Sequence, residues 1–206
     1  MGTPQLLARR DERRETILEI AREAFIADGY AATSMSGIAA RLGGSKGTLY
    51  NYFKSKEDLF AAVMEQQCAA LSQALFEGCE AGDDLRQQLV RFARGFLEAL
   101  LDENRMGIHR LVVAEAGRFP ELGRAFYAAG PQRIGARIAA YLAGLMDQGL
   151  LRRADPDLAS RHLKDLALSG LYNQRLWNVV PHPTAAAIDR QIEEAVETFL
   201  RAYRPG

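Results

Sequence analysis

Apolar residues recur at intervals of three and four along nearly the whole chain, and this helical period is the strongest constraint on what it folds into. No stretch alternates apolar and polar residues between turn signals as a half-buried strand would, so an all-α fold is expected. The 206 residues, 48% hydrophobic and 25% charged, suffice for one large core or for a small domain joined to a larger one. Only Cys68 and Cys79 are present, without a C-x-x-C pair; no disulfide framework, metal site or cofactor is expected, and a reducing cytoplasm suits the chain. The N-terminus has no apolar run of secretory type, and no run of about 18 apolar residues occurs that would span a bilayer.

Start and stop signals divide the pattern into elements. A first amphipathic helix runs from Asp11 to Asp28, with Ile17, Ala21, Ala24 and Phe25 on one stripe, and Gly29 followed by Tyr30 ends it. Residues 1–10 ahead of it are expected as a flexible basic arm. Ser34 caps a short helix from Met35 to Leu42, Gly43 and Gly44 break it, and Ser45 caps another from Lys46 to Phe53. Ser55 caps a third that opens on Glu57 and Asp58 and continues towards Leu75 and Phe76. After a polar break at Glu80 to Asp84, helices are expected from Leu85 to Leu100, from Met106 to Ala116, and from Glu121 to Asp147 with a bend near Gly130 and Pro131. Asp155 and Pro156 start one reaching Asn178, and Thr184 to Tyr203 is the last. The domains read as 11–58 and 59–206.

The net charge is zero, with 26 basic and 26 acidic residues, yet Arg41 to Lys56 holds four bases and no acid. A charge run is commonly just a solvated face, so the residue pattern must decide its meaning. Met35 to Phe53 has the spacing of a helix-turn-helix. Ile38, Leu42, Leu49 and Tyr52 fall where two crossed helices bury side chains, Ala39 is small where they pass closely, and Gly43 suits the turn. The second helix then offers Lys46, Gly47, Thr48, Tyr50 and Asn51 on its outer face, residue types that donate to and accept from base edges and phosphates.

Through Ile17, Ala21, Phe25, Gly29-Tyr30, Thr33-Ser34, Ile38-Ala39, Gly43, Ser45-Lys46-Gly47-Thr48-Leu49-Tyr50, Tyr52-Phe53 and Lys56-Glu57-Asp58-Leu59, residues 11–60 resemble the TetR family of bacterial transcriptional regulators. Phe119-Pro120-Glu121-Leu122 and Asp155-Pro156-Asp157 are similar to C-terminal domains of its AefR-like branch. The resemblance implies base-edge or groove contact from Lys46, Gly47, Thr48 and Tyr50, phosphate contact from Thr33, Tyr52 and Lys56, and minor-groove or backbone contact from Arg9 or Arg10. With Ser45 and Asn51 on the same segment, these form the expected DNA-facing set. Tyr52 is equally readable as core. The chain departs from the family pattern at Gly37, where an acid is usual, at Gly44, where an apolar residue is usual, and at Asn51, where histidine is common.

One helix-turn-helix reads few base pairs, so an inverted-repeat operator and a homodimer are expected. Ile188, Ile192, Val196 and Phe199 on the last helix, with Leu166, Ser169, Gly170 and Asn173 before it, offer the faces of an intermolecular four-helix bundle, although amphipathicity alone fits an internal core equally well. Met64, Cys68, Phe92, Phe96, Met106, Phe126, Tyr172 and Trp177 are the candidates for enclosing a small-molecule effector, core packing being the competing reading of each. The resemblance implies that such a ligand shifts the two DNA-binding heads, most often to release a repressor.

Enzyme readings find no support. Gly43 to Thr48 lacks phosphate-loop spacing and a preceding strand, His109, His162 and His182 are scattered, and no G-x-S-x-G occurs. Two other readings stay open: a DNA-binding protein that organises chromosomes, and a helical ligand- or protein-binding module with a weakened DNA head.

Overall fold

Short polar side chains open the helices where the sequence puts them. The computed structural model describes residues 3–77 and 84–205, and the described elements are helices and the loops between them. Cys79 and most of the expected break at Glu80 to Asp84 lie outside the described residues.

Helix α1, Thr3–Asp28, begins well before Asp11. The segment expected as a flexible arm is therefore helical from Thr3, because Pro4 suits a first turn and no proline or glycine follows until Gly29. In α2, Met35–Arg41, the Ser34 hydroxyl accepts from the Gly37 N–H at 3.1 Å. In α3, Lys46–Tyr50, Ser45 accepts from the Thr48 N–H at 3.2 Å. Helix α3 ends short of Phe53, the next residues continuing as a tight turn in which the Tyr52 and Phe53 N–H groups both reach the Leu49 carbonyl. Ser55 caps α4, Lys56–Glu77, through the Asp58 N–H at 3.1 Å, and Glu57 and Asp58 occupy its positive end.

Asp84 caps α5, Leu85–Leu101, and α6 covers Glu103–Glu115. The expected long helix from Glu121 is three pieces: α7, Pro120–Tyr127, a wider π-type turn, Ala128–Gln132, and α8, Arg133–Asp147. Pro131 explains the interruption, since it has no N–H to donate and its ring crowds the preceding turn. The helix expected to reach Asn178 is also divided, into α9, Pro156–Leu168, and α10, Leu171–Leu176. Between them Gly170 adopts a φ of +82°, which a residue with a Cβ rarely takes. Finally, α11 covers Ala185–Tyr203, capped by Thr184.

The chain forms two compact units, residues 1–67 with 107–130, and residues 68–106 with 131–206. The division thus falls inside α4 rather than at residue 58, and the later segment 107–130 joins the N-terminal unit. In that unit Ile17, Leu18, Ala21 and Phe25 of α1 are buried with Ile38, Leu49, Leu59 and Phe60. Tyr30 is nearly inaccessible, its ring 5.7 Å from that of Phe25, 5.5 Å from Phe60 and 5.2 Å from Phe119. Rings at these spacings add to the stabilisation from burial. The second unit is built on one apolar cluster drawn from α5, α8, α9 and α11, including Leu89, Phe92, Leu97, Ile138, Leu142, Leu163, Ile192, Val196 and Phe199.

Candidate nucleic-acid interface

The turn between α2 and α3 is set by Gly43 at φ +66°, with the Gly44 N–H donating to the Ala39 carbonyl at 3.2 Å. Leu49, fully buried, anchors α3, so residues on the opposite side of that short helix face outward. Lys46, Gly47, Tyr50 and Asn51 are exposed, and the Lys46 ammonium stands 5.7 Å from the centre of the Tyr50 ring. Beyond its chain neighbours and its own helix backbone, only the Ser45 hydroxyl among the described residues lies within 4 Å of where a Cβ on Gly47 would stand. Ser45 is exposed but committed to its cap, and its oxygen also lies 3.0 Å from that of the half-buried Thr48.

Two residues expected on phosphates are turned inward instead. Thr33 is buried, and its hydroxyl is shared between the carbonyls of Gly29 at 2.7 Å and Ala24 at 3.2 Å. Thr33 lies five residues past the end of α1, whose last turn needs donors for carbonyls left without helical partners. Lys56 donates to the carbonyls of Tyr30 at 2.8 Å and Thr33 at 3.1 Å, with the Tyr30 ring 4.2 Å away. That leaves one of its three N–H groups for a phosphate. Tyr52 is half-buried, with the Arg10 guanidinium 6.0 Å from its ring.

The basic run divides accordingly. Arg41 pairs with Asp28 at 2.6 Å, Lys56 points inward, and Lys46 and Lys54 stay exposed. Their company comes from α1: Arg14 lies 5.5 Å from the Phe53 ring, and an Arg13 nitrogen would stand 3.6 Å from a Cβ on Gly44. Arg13 and Arg14 are absent from the expected set. The signal for them was the four-residue spacing of Arg9 with Arg13 and of Arg10 with Arg14, which puts each pair on one face once α1 is helical throughout.

Next to this surface, Tyr30 donates to Glu57 at 3.2 Å, and the Ala31 N–H donates to Glu115 at 3.4 Å. Burial first, and then the negative charge of Glu57, push the Tyr30 phenol far above its ordinary range. Its own backbone N–H and the Ser55 hydroxyl hold Glu57 below the usual carboxylate range.

The eight expected effector residues are divided between the two units. Met64 and Phe126 belong to the first unit and the other six to the second. Phe92, Phe96 and Met106 are buried within the apolar cluster, and Tyr172 belongs to it as well. Cys68 is half-buried, and Trp177 is 69% exposed. The expected dimer face needs a larger correction. Ile188, Ile192, Val196 and Phe199 are buried inside their own protomer, because that stripe of α11 is covered by α5 and α9. Leu166 is half-buried, whereas Ser169, Gly170 and Asn173 are exposed. Leu166, Ser169, Leu171, Ala187, Arg190, Gln191, Glu194, Ala195 and Thr198 line a groove of about 400 Å³ on the other side of α11.

A capped, partly basic second helix, fixed to the first by buried Leu49 and exposed on its far side, defines a helix-turn-helix DNA-binding protein. Residues 17–63 match the family of bacterial regulatory proteins named tetR, and residues 87–205 match the C-terminal domain of AefR-like transcriptional repressors. The chain belongs to the TetR family of transcriptional regulators, which are not enzymes. A TetR-family regulator from Mesorhizobium loti has the same fold, with a TM-score of 0.85 and 31% identity over 95% of this chain and 98% of that one. The flavonoid-responsive regulator FrrA is 32% identical over 95% of this chain and 98% of its own, with a TM-score of 0.82. The transcriptional activator FasR of Mycolicibacterium smegmatis is 39% identical over 93 residues, 45% of this chain and 41% of that protein. Members of the family bind operator DNA and typically act as dimers with small-molecule effectors. No described helix is long and apolar enough to cross a membrane.

Proposed function

We propose that the chain is a cytoplasmic homodimeric repressor that reads an inverted-repeat operator through α3 and leaves it when its larger unit takes up a small molecule. The carrying observation is the outward face of α3, where Lys46, Gly47 and Tyr50 are exposed beside Lys54 and the arginines of α1. Lysine and tyrosine there supply donors for base edges and phosphates, and Gly47 lets the backbone come close. Two such heads about 34 to 36 Å apart would occupy successive major grooves on one side of the duplex. The groove along α9, α10 and α11 supports pairing of two copies there, since Ala187 and Ala195 are small and Arg190 and Glu194 can pair across a two-fold axis. Repression is supported by the AefR-like repressor domain, and effector response by the likeness to FrrA.

Selection from a random DNA library tests the reading, followed by affinity measurements over a range of salt for wild type, Lys46→Ala and Tyr50→Phe. An inverted repeat is expected, bound less tightly by both variants, with the salt slope reduced by about one unit in Lys46→Ala. No enriched sequence, or binding indifferent to both substitutions, would sink the regulator reading.

A further inference from the structure

Leu49 fixes which side of α3 faces inward, since it is fully buried. Successive helical residues turn by about 100°, so the positions opposite Leu49 are Gly47 and Asn51, two residues to either side of it. The Asn51 backbone N–H donates to the Gly47 carbonyl at 3.2 Å, which keeps the two in helical register, one turn apart on one face. Asn51 is exposed, and among the described residues its side-chain amide has no hydrogen-bond partner. Polar groups beside it are engaged: the Thr48 hydroxyl lies 3.0 Å from that of Ser45, and the Lys46 ammonium leans on the Tyr50 ring at 5.7 Å.

A side-chain amide presents a donor and an acceptor side by side. In the major groove adenine answers with the acceptor N7 beside the N6 amino donor, whereas guanine shows two acceptors, cytosine a donor, and thymine an acceptor with a methyl group. Adenine is therefore the base that uses both groups of the amide, and a phosphate oxygen would use only its donors. An asparagine has a single methylene, so its amide reaches a base edge only when the helix comes close. Gly47 permits that approach, because no side chain one turn earlier on the same face holds the helix away from the bases. Five residues extend about 7.5 Å, less than the major groove's width of about 12 Å, so both ends of α3 fit within the groove.

We propose that Asn51 selects adenine at one base pair of each operator half-site, through hydrogen bonds to N6 and N7 in the major groove, with Gly47 giving the close approach those bonds need. The proposal rests on the operator-reading role of α3 above and adds a base identity to it.

The test uses the full-length protein. Wild type selects its site from the random DNA library, and affinities of wild type, Asn51→Ala and Asn51→Gln are then measured for that site with each base pair of the half-site changed in turn. In wild type one adenine per half-site is expected whose replacement weakens binding about tenfold. In Asn51→Ala the same replacement should have no effect while preferences at the other positions persist. Asn51→Gln, carrying the same amide on a longer stem, should keep part of the adenine preference. Replacing that adenine by 7-deazaadenine, which pairs normally but lacks N7, should weaken wild type and leave Asn51→Ala unchanged. Uniform loss across all sequences in Asn51→Ala would assign the amide to a phosphate, an unchanged profile would leave it without a contact, and loss of preference for a different base would contradict the match; each overturns the proposal. Asn51 is exposed, so both variants should melt as wild type does. Should either unfold, wild type still decides, since full affinity for 7-deazaadenine at every adenine of the site overturns the proposal. No enriched sequence for wild type would overturn the regulator reading and this assignment with it, whereas an enriched site indifferent to Asn51 overturns this assignment alone.

Discussion

The hydroxyl of Thr33 and the ammonium of Lys56 are both occupied by carbonyl oxygens at the end of α1 and in the loop after it. A Thr33 so placed would support DNA binding only through the stability of that corner, whereas Lys56 keeps one N–H for a phosphate. Thr33→Val is expected to cost about 1 kcal/mol of folding stability, the usual loss with a buried hydrogen bond, and to leave the salt slope of operator binding unchanged. A denaturant melt with a salt titration checks it, and a slope reduced as in Lys46→Ala would mean that Thr33 meets phosphate after all. His109 carries a second expectation. It is half-buried with its ring 5.6 Å from that of Phe126, and burial holds its imidazole below the ordinary histidine range. The folded state thus favours the neutral ring. Its contribution to stability is present above about pH 6.5, the unfolded value, and is lost as pH falls through the lower folded value. Melts between pH 7.5 and pH 5 should show acid destabilisation that His109→Phe flattens, and parallel curves would refute it. The residue types on α3 were legible because each was paired with a cap or a buried anchor at helical spacing. The inward turn of Thr33 and Lys56 was not, since hydroxyl and ammonium groups suit a carbonyl as well as a phosphate.

At the scale of elements, the two glycines between α2 and α3 have different meanings. Gly43 has a φ of +66° and open space around it, so Gly43→Ala carries only the backbone penalty. A loss of about 1 kcal/mol is expected. Gly44 does not share the positive φ, and a Cβ there would make ordinary contacts with Arg13 at 3.6 Å and Leu42 at 3.9 Å. Gly44→Ala should leave stability unchanged or raise it by up to about 1 kcal/mol, through a less flexible unfolded chain. Comparative melts of the two variants distinguish these expectations, and equal losses would remove the distinction. Helix starts were readable because a cap is local: Ser34, Ser45, Ser55, Asp84, Asp155 and Thr184 each satisfy an N–H two or three residues away. Interruptions were harder to read. Gly170 interrupts its helix, whereas Gly95, Gly107, Gly135 and Gly144 sit inside helices. The letter glycine permits either outcome, and long-range packing selects one.

Across the whole molecule, α4 and α6 each start in one unit and end in the other. The assembly is tested by substitutions on opposite faces of α11. Ala187→Arg with Thr198→Arg, in the groove, should convert a dimer to a monomer and remove binding to the inverted repeat, with the melting profile otherwise cooperative. Ile192→Ala, in the core, should cost about 2 to 5 kcal/mol of protomer stability while the surviving folded protein still dimerises. Sedimentation analysis beside thermal melts separates the two, and a double variant that remains dimeric would move the interface elsewhere.

The sequence by itself determined the helical class, most helix starts, the helix-turn-helix and the residue types on the outer face of α3. Each depends on interactions between residues a few positions apart, where period, cap and turn act directly. Only the tertiary structure decided that α11 gives its apolar stripe to its own protomer and that segment 107–130 joins the DNA-binding unit. Those outcomes depend on which elements pair over long separations. An amphipathic stripe states that a helix face must be covered, and the energy of burial is nearly the same whichever apolar surface covers it.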